Sequence, residues 1–285
     1  MTRTVRSRVA ADRPVRAPRC FLAVVPVEAG GQTSSPVQAW VGTYSPAHGA
    51  HRITDPGVEQ NRGGLTLCVF KEYGRMNIAI IGAGNVGKAL AKSCLKAGHK
   101  ITLSAARAEH AAEAAKAIGA QAASSNEEAV KDAELVIVAV PYDSLGDVFR
   151  GLGSLVDGKV VVDATNHTNV QNPGEVLGGI SNAEEIQQRH PNVKVVKAFN
   201  YALAALLAEP SVNGVPLDGF VAGDDQAAKD KVLELVKSIG FRPIDAGPLV
   251  IARVFEGMAL LNIMLQISHN WPWQNGWKLI GPPED

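Results

Sequence analysis

Six residues constrain this chain more than any others: Gly82-Ala83-Gly84-Asn85-Val86-Gly87, a G-x-G-x-x-G run directly after the apolar stretch 78–81. Val86, Leu90, Cys94 and Ala97 then recur at helical spacing, and Gly98 suits the position just past a helix end. Strand, glycine turn and helix in that order is the context that gives the run a physical meaning. Gly82 permits a tight turn, Gly84 lets the backbone approach a pyrophosphate, and Gly87 lets helix and strand pack closely. The N–H groups that open the helix, at Asn85 and Val86, have no partner within it and lie at its positive dipole end, which suits phosphate. The run therefore points to a bound dinucleotide. Its bland alternative is a glycine turn that binds nothing.

The pattern beyond the run keeps the same rhythm. Residues 101–103 read as a second strand, and 108–118 as an alanine-rich helix closed by Gly119. Ser125 with Glu128 has the spacing of a capping box ahead of a short helix, and Ser181 with Glu184 opens a helix that ends before Pro191. Apolar strands are expected over 135–140, stopped by Pro141, and over 160–162, 193–196 and 219–222. Asp224 or Asp225 can cap a helix with Val232, Leu235, Val236 and Ile239 on one face and Gly240 as its stop. A last strand is expected at 242–245, with Pro248 opening a long apolar helix at its first position. Fully apolar strands alternating with helices predict a doubly wound, Rossmann-type α/β fold: a mainly parallel sheet covered on both faces, with a C-terminal strand-helix extension.

The end of the second strand bears on which dinucleotide is taken. A site for NAD places an acid about 20 residues after the glycines to hold the ribose 2′-hydroxyl. Here that stretch is Ser104-Ala105-Ala106-Arg107, with no acid. A guanidinium at Arg107 matches a 2′-phosphate in charge and geometry, and Ser104 can add a hydrogen bond, so NADP is expected over NAD. The alternative for Arg107 is a solvated residue at a helix start.

From 76 to 107 the chain resembles the NADPH-dependent coenzyme F420 reductases and the related reductase domain of STEAP-type metalloreductases. Three later segments carry the resemblance further: Val195-Val196-Lys197-Ala198-Phe199-Asn200, Val221-Ala222-Gly223-Asp224-Asp225, and 242–249 continuing to Arg253, Glu256 and Asn262. The resemblance implies a nicotinamide near Val140, Pro141 and Ala198, Phe199 and Asn200, with Thr165 and Asn166 close by. It also implies a second redox partner, F420 or a flavin, stacked there, and Asn200 as the catalytic candidate. One departure stands out. Where the archaeal F420 reductases are similar to His-Thr after the sixth strand, this chain has Asn200-Tyr201, which puts F420 itself in question and keeps a flavin or another small acceptor open.

Composition narrows the remaining classes. With 46% hydrophobic and 20% charged residues and a formal net charge of zero, nothing favours a nucleic-acid partner. The 285 residues divide into 1–75 and 76–285. The first part has six arginines against one acid in its first 19 residues, then recurrent Pro and Gly without apolar period. It reads as a disordered or untranslated leader before Met76, with a transit peptide or a basic arm as alternatives. Cys20, Cys68 and Cys94 suggest neither a disulfide set nor a metal site. The run 249–265 carries Arg253 and Glu256 and reads as a buried helix, not a membrane span, so a cytoplasmic protein is expected. Arg253 and Glu256 are expected to form a buried ion pair with each other or with Asp245, or else to touch substrate. Trp271, Trp273 and Trp277 suit apolar packing, a flat-ring pocket or a homodimer contact. Asn166 and Asn200 suit either a carboxamide contact or loop capping, and His167 reads as a surface residue.

Hydride transfer between two planar rings demands positioning more than acid–base help. The lack of an obvious catalytic His or Lys therefore fits an NADP-dependent oxidoreductase acting on a deazaflavin or flavin-like small molecule. Two alternatives compete: an imine or carbonyl reductase of the pyrroline-carboxylate type, and a non-catalytic NADPH-binding module. The first usually appends a long helical domain, for which about 40 residues after Gly247 are few.

Overall fold

A computed structural model describes residues 74–167 and 169–281, so the expectation for the leader lies outside the described residues apart from its last two. The glycine run follows β1 (Asn77–Ile81) directly and its last three residues open α1 (Asn85–Lys96), as the periodicity predicts. There follow β2 (Lys100–Ser104), α2 (Ala108–Ile118), β3 (Gln121–Ala122), α3 (Asn126–Val130) and β4 (Leu135–Val138). Next come α4 (Leu145–Leu152), β5 (Val160–Asp163), α5 (Pro173–Leu177), α6 (Asn182–Arg189), β6 (Lys194–Ala198) and α7 (Ala204–Ala208). A small hairpin, β7 (Ser211–Val212) and β8 (Val215–Pro216), precedes β9 (Asp218–Gly223), α8 (Gln226–Ser238), β10 (Arg242–Asp245) and α9 (Ala252–His269).

Eight strands form one sheet in the order β10-β9-β6-β5-β4-β1-β2-β3. Every pairing is parallel except that of β9 with β6, so the sheet is mainly parallel, with β9 and β10 running the other way. The reversal arises because β6 reaches β9 through α7 and the hairpin, not through a crossover helix laid along the sheet. Alternation along β1 sends Ile78 and Ile80 into one core layer, under α1 and α8, and Ala79 and Ile81 into the other, under α4 and α6. Both faces of the sheet are covered, which is why β4 and β5 contain no exposed residue. Cys94 lies in the first layer, where burial pushes its thiol up to about 12 and leaves it inert.

Several expectations need correction. β4 ends at Val138, two residues short of Val140, because the chain leaves the ladder where it passes over Gly82. Pro248 stands one residue before a 3-10 turn (Leu249–Ile251) that leads into α9, so it is not the first helical residue. Helix α9 buries only one side: Phe255, Glu256, Ala259, Asn262 and Gln266 face inward while Val254, Leu261 and Ile267 are exposed. Leu249–His269 is long and apolar enough to cross a membrane by length and composition alone, yet it carries polar residues that bond within this fold. Arg253 and Glu256 pair neither with each other nor with Asp245. Arg253 grips Glu184 through two bonds of 2.7 and 2.8 Å, Glu256 meets Lys197, and Asp245 meets Lys229. Trp277 joins a cluster with Tyr201, Phe220 and Phe255, whereas Trp271 and Trp273 are exposed.

The caps follow the sequence closely. Ser181 and Glu184 form a complete capping box on α6. On α3 only half of one forms: Ser125 accepts from Glu128 N, but the Glu128 carboxylate turns back to Ser124. Asp225 caps α8, leaving Asp224 to accept from Leu249 N at 2.8 Å.

The C-terminal tail is clasped by Asp218, whose buried carboxylate accepts from Arg242 Nε and Nη2 (both 2.7 Å), Lys278 Nζ (3.0 Å) and Leu279 N (2.6 Å). Burial alone would raise this carboxyl, but those donors outweigh it and hold it below the usual aspartate range. Its contribution is therefore complete above the ordinary pKa of ~4 and fades as pH falls below it. Asp218→Asn is expected to cost about 2–3 kcal/mol in urea unfolding at neutral pH, and less as the titration is repeated towards pH 3.

Candidate functional site

The strand order reverses at β1, so the chains leaving β1 and β4 diverge and open a crevice at the carboxyl edge of the sheet. A cleft of about 280 Å³ occupies it, lined among others by Gly82, Gly84, His110, Asn126, Val140 and Pro141. The backbone there is packed as tightly as backbone permits. Gly82 adopts φ +115°, and a methyl on it would collide with Ala139 O. A methyl on Gly87 would collide with Gly82 O. Gly84 differs: nothing lies within 4 Å of where its Cβ would be, and its φ is −76°. Two glycines of the run thus serve the fold, and the third keeps space free beside the start of α1.

That helix start is uncapped. Gly84 is its N-cap with no side-chain acceptor, and the first turn has no acid, whereas Ser125, Ser181 and Asp225 cap α3, α6 and α8. The N–H groups of Asn85 and Val86 therefore face the open space beside Gly84 with no competing carboxylate. Val86 itself leans on the core and Asn85 is exposed.

Across the cleft, Arg107 is exposed at the N-cap of α2 and pairs with His110 one turn on. Ser104 lies beneath the floor, fully buried, with its hydroxyl donated to Asn126 Oδ1 at 2.8 Å. Asn126 and His110, which the sequence reading passed over, are thus the polar groups that line this end. Both follow helix starts in chain order, a position where sequence could have suggested them.

The other expected residues gather at the ends of β5 and β6, beyond the lining of the cleft. Phe199 has φ +70°, rare for a bulky side chain. Its ring is buried in the core beside Ala198, so what this pair can offer a ligand is backbone. The turn brings Asn200 against Asn166. Asn166 Nδ2 donates to Asn200 O at 2.7 Å, and Asn200 Nδ2 donates to Asn166 Oδ1 at 2.9 Å. Asn200 Oδ1 is buried and has no partner. An orphaned acceptor of that kind costs about 1–3 kcal/mol unless a ligand donor meets it. The Thr165 hydroxyl points the other way, donating to Asp163 Oδ1 at 2.7 Å and accepting from Asn182. His167 is half-buried and stacks on Tyr142 with ring centroids 4.3 Å apart. Tyr201 is buried too, its hydroxyl bonded to Phe220 N, so the departure at that position places a core residue there.

A larger cavity, about 530 Å³, lies on the far side of α4 between Phe149, His190 and the pairs Arg189–Glu185 and Arg150–Asp147. The glycine run does not reach it, and its arginines are already paired, so the smaller cleft is the better candidate. No cluster of metal-binding side chains occurs among the described residues.

Residues 77–167 match the family model of NADP oxidoreductase, coenzyme F420-dependent. The F420-dependent NADP reductase of Methanocaldococcus jannaschii is 32% identical over 215 residues, covering 68% of this chain and 94% of that protein. Metalloreductase STEAP3 of Rattus norvegicus is 29% identical over 190 residues, and the chain spans only 36% of its length. A crystal structure from Arthrobacter sp. FB24, assigned provisionally as an F420-dependent NADP reductase, superposes with TM-score 0.63 at 26% identity over 72% of this chain and all of that one.

The glycines separate ligand binding from folding. Gly84→Val is expected to leave the melting temperature nearly unchanged and to weaken NADPH binding at least about tenfold in calorimetry, a loss of about 1.4 kcal/mol. Gly87→Val is expected to lower the melting temperature itself, because its side chain meets backbone.

Proposed function

The chain belongs to the family of coenzyme F420-dependent NADP oxidoreductases, and from that premise we propose that it moves a hydride between NADPH and a deazaflavin or flavin-like acceptor at the carboxyl edge of the sheet. When bound, NADPH supplies the hydride, two electrons and one proton nucleus, and the acceptor takes a further proton from solvent. The single observation that carries this reading is the orphaned Asn200 Oδ1, held beside Asn166 where β5 and β6 end, at the same carboxyl edge of the sheet as the cleft. An acceptor atom there suits the N–H of a nicotinamide carboxamide, which would make Asn200 the catalytic residue in contact with the cofactor.

The remaining roles follow from position. Gly82, Gly84 and Gly87 with the N–H groups of Asn85 and Val86 would hold the pyrophosphate. Arg107, with His110, would hold the 2′-phosphate over the end of β2, where Ser104 and Asn126 shape the floor. Val140 and Pro141 would wall the nicotinamide ribose. Thr165 and Asn166, with the backbone of Ala198 and Phe199, would close the far side. What the chain then does is hold one ring face open to a second flat ring, as a near-attack geometry of ~3–3.5 Å requires. NADPH oxidation followed with F420, FMN and FAD in turn is expected to show turnover with at least one. Tight NADPH binding with no turnover, and no deuterium lost from labelled NADPH, would instead favour a binding module.

The choice of dinucleotide is separately testable. Arg107→Ala is expected to reduce the preference for NADPH over NADH by about tenfold or more, through NADPH affinity alone.

A further inference from the structure

Behind the Asn166–Asn200 pair lies a buried charge cluster to which the proposed reaction assigns no role. The Lys197 ammonium donates to Asp163 Oδ2 at 2.8 Å, to Glu256 Oε1 at 2.7 Å and to Thr165 O at 2.8 Å. The side chains of Lys197 and Asp163 have no exposure, and that of Glu256 has 4%. Asp163 uses its other oxygen to accept from Thr165 N and Oγ1, at 2.9 and 2.7 Å. Asn182 closes the ring, giving Nδ2 to Thr165 Oγ1 at 2.8 Å and its backbone N–H to Glu256 Oε1 at 2.9 Å.

Three formal charges in one dry place are a poor way to stabilise a fold. Each is costly to desolvate, and apolar side chains of like volume often do as well or better. What the cluster has that an apolar filling lacks is direction. All three ammonium N–H bonds are spoken for, and the bonds converge on Thr165, whose N, O and Oγ1 are all taken. The next residue is Asn166. Its partner, Asn200, follows Lys197 by three positions across the turn at Phe199. One side chain therefore joins the loop after β5 to the strand that leads into the loop after β6.

We infer that Lys197 is a positioning residue: it ties the chain after β5 to β6 so that Asn166 and Asn200 lock together with Asn200 Oδ1 left unpartnered within the protein, to be met by a ligand amide. The inference rests on the proposed reading that this amide is the nicotinamide carboxamide. It acts through Asn166 and Asn200, and Lys197 itself touches no ligand.

The test compares affinities for NADPH and for 2′,5′-ADP, which has the adenosine and the 2′-phosphate but no nicotinamide. Wild type is expected to bind NADPH at least about tenfold more tightly than 2′,5′-ADP. In Lys197→Met that ratio should fall towards one while 2′,5′-ADP affinity stays within about twofold. Glu256→Gln keeps an oxygen for both Lys197 and Asn182, and should keep the ratio. Should Lys197→Met fail to fold, the charge-free triple variant Asp163→Asn, Lys197→Met, Glu256→Met replaces the cluster by an uncharged filling. It too should lose the ratio, because Thr165 O has lost its tether. A ratio retained in either variant overturns the inference and leaves the nicotinamide reading intact. A wild-type ratio near one overturns that reading, and this inference with it.

Discussion

Everything at the carboxyl edge depends on how closely three backbone segments pass one another. Where β1 ends, Gly82 lies against Ala139 O and Gly87 against Gly82 O, with no room for a methyl at either place. That contact lets α1 start directly at the end of the central strand and aims its first N–H groups into the crevice. Loosen it, and both the sheet packing and the uncapped start of α1 move together. The third glycine, Gly84, owes nothing to this contact, which is why its identity speaks for a ligand and not for the fold.

The same edge divides into two halves with different physics. The half at β1 and β2 is electrostatic and open: uncapped N–H groups, His110 in the lining with Arg107 bonded to it, and Asn126 on the floor. The half at β5 and β6 is buried and held by hydrogen bonds, from the Asn166–Asn200 pair back to Lys197. In the proposed reading, an anionic end and a flat amide-bearing end of one molecule meet these halves in order. The distance between recognising charge and placing a ring is thereby built into the strand order.

Local physics made much of this legible before any coordinates. The run 82–87, the helix stop at Gly119 and the helix opened by Ser181 and Glu184 each depend on a few residues, and each is found where expected. Helices α5 and α7, five residues each, and the two-residue strands were missed because they span too little chain to show a period. The eight-residue α4 was passed over although it buries Leu145, Val148, Phe149 and Leu152 on one face. Long-range pairings were missed for another reason. Glu256 stands 59 residues from Lys197, and Arg253 stands 69 from Glu184, so neither partner is visible from helical spacing on α9. Ser104 shows the limit of reading type without burial: the hydroxyl is there, but it faces Asn126 from beneath the floor.

The claim that carries the account is that a nicotinamide dinucleotide lies with its phosphates at the start of α1. Backbone amide shifts in a nitrogen-labelled sample titrated with NADP would report this directly. The account predicts the largest shifts at Gly84, Asn85, Val86 and Gly87, with a second group around Arg107 and at Asn200. Shifts confined to the larger cavity between Phe149 and His190, with α1 undisturbed, would contradict it.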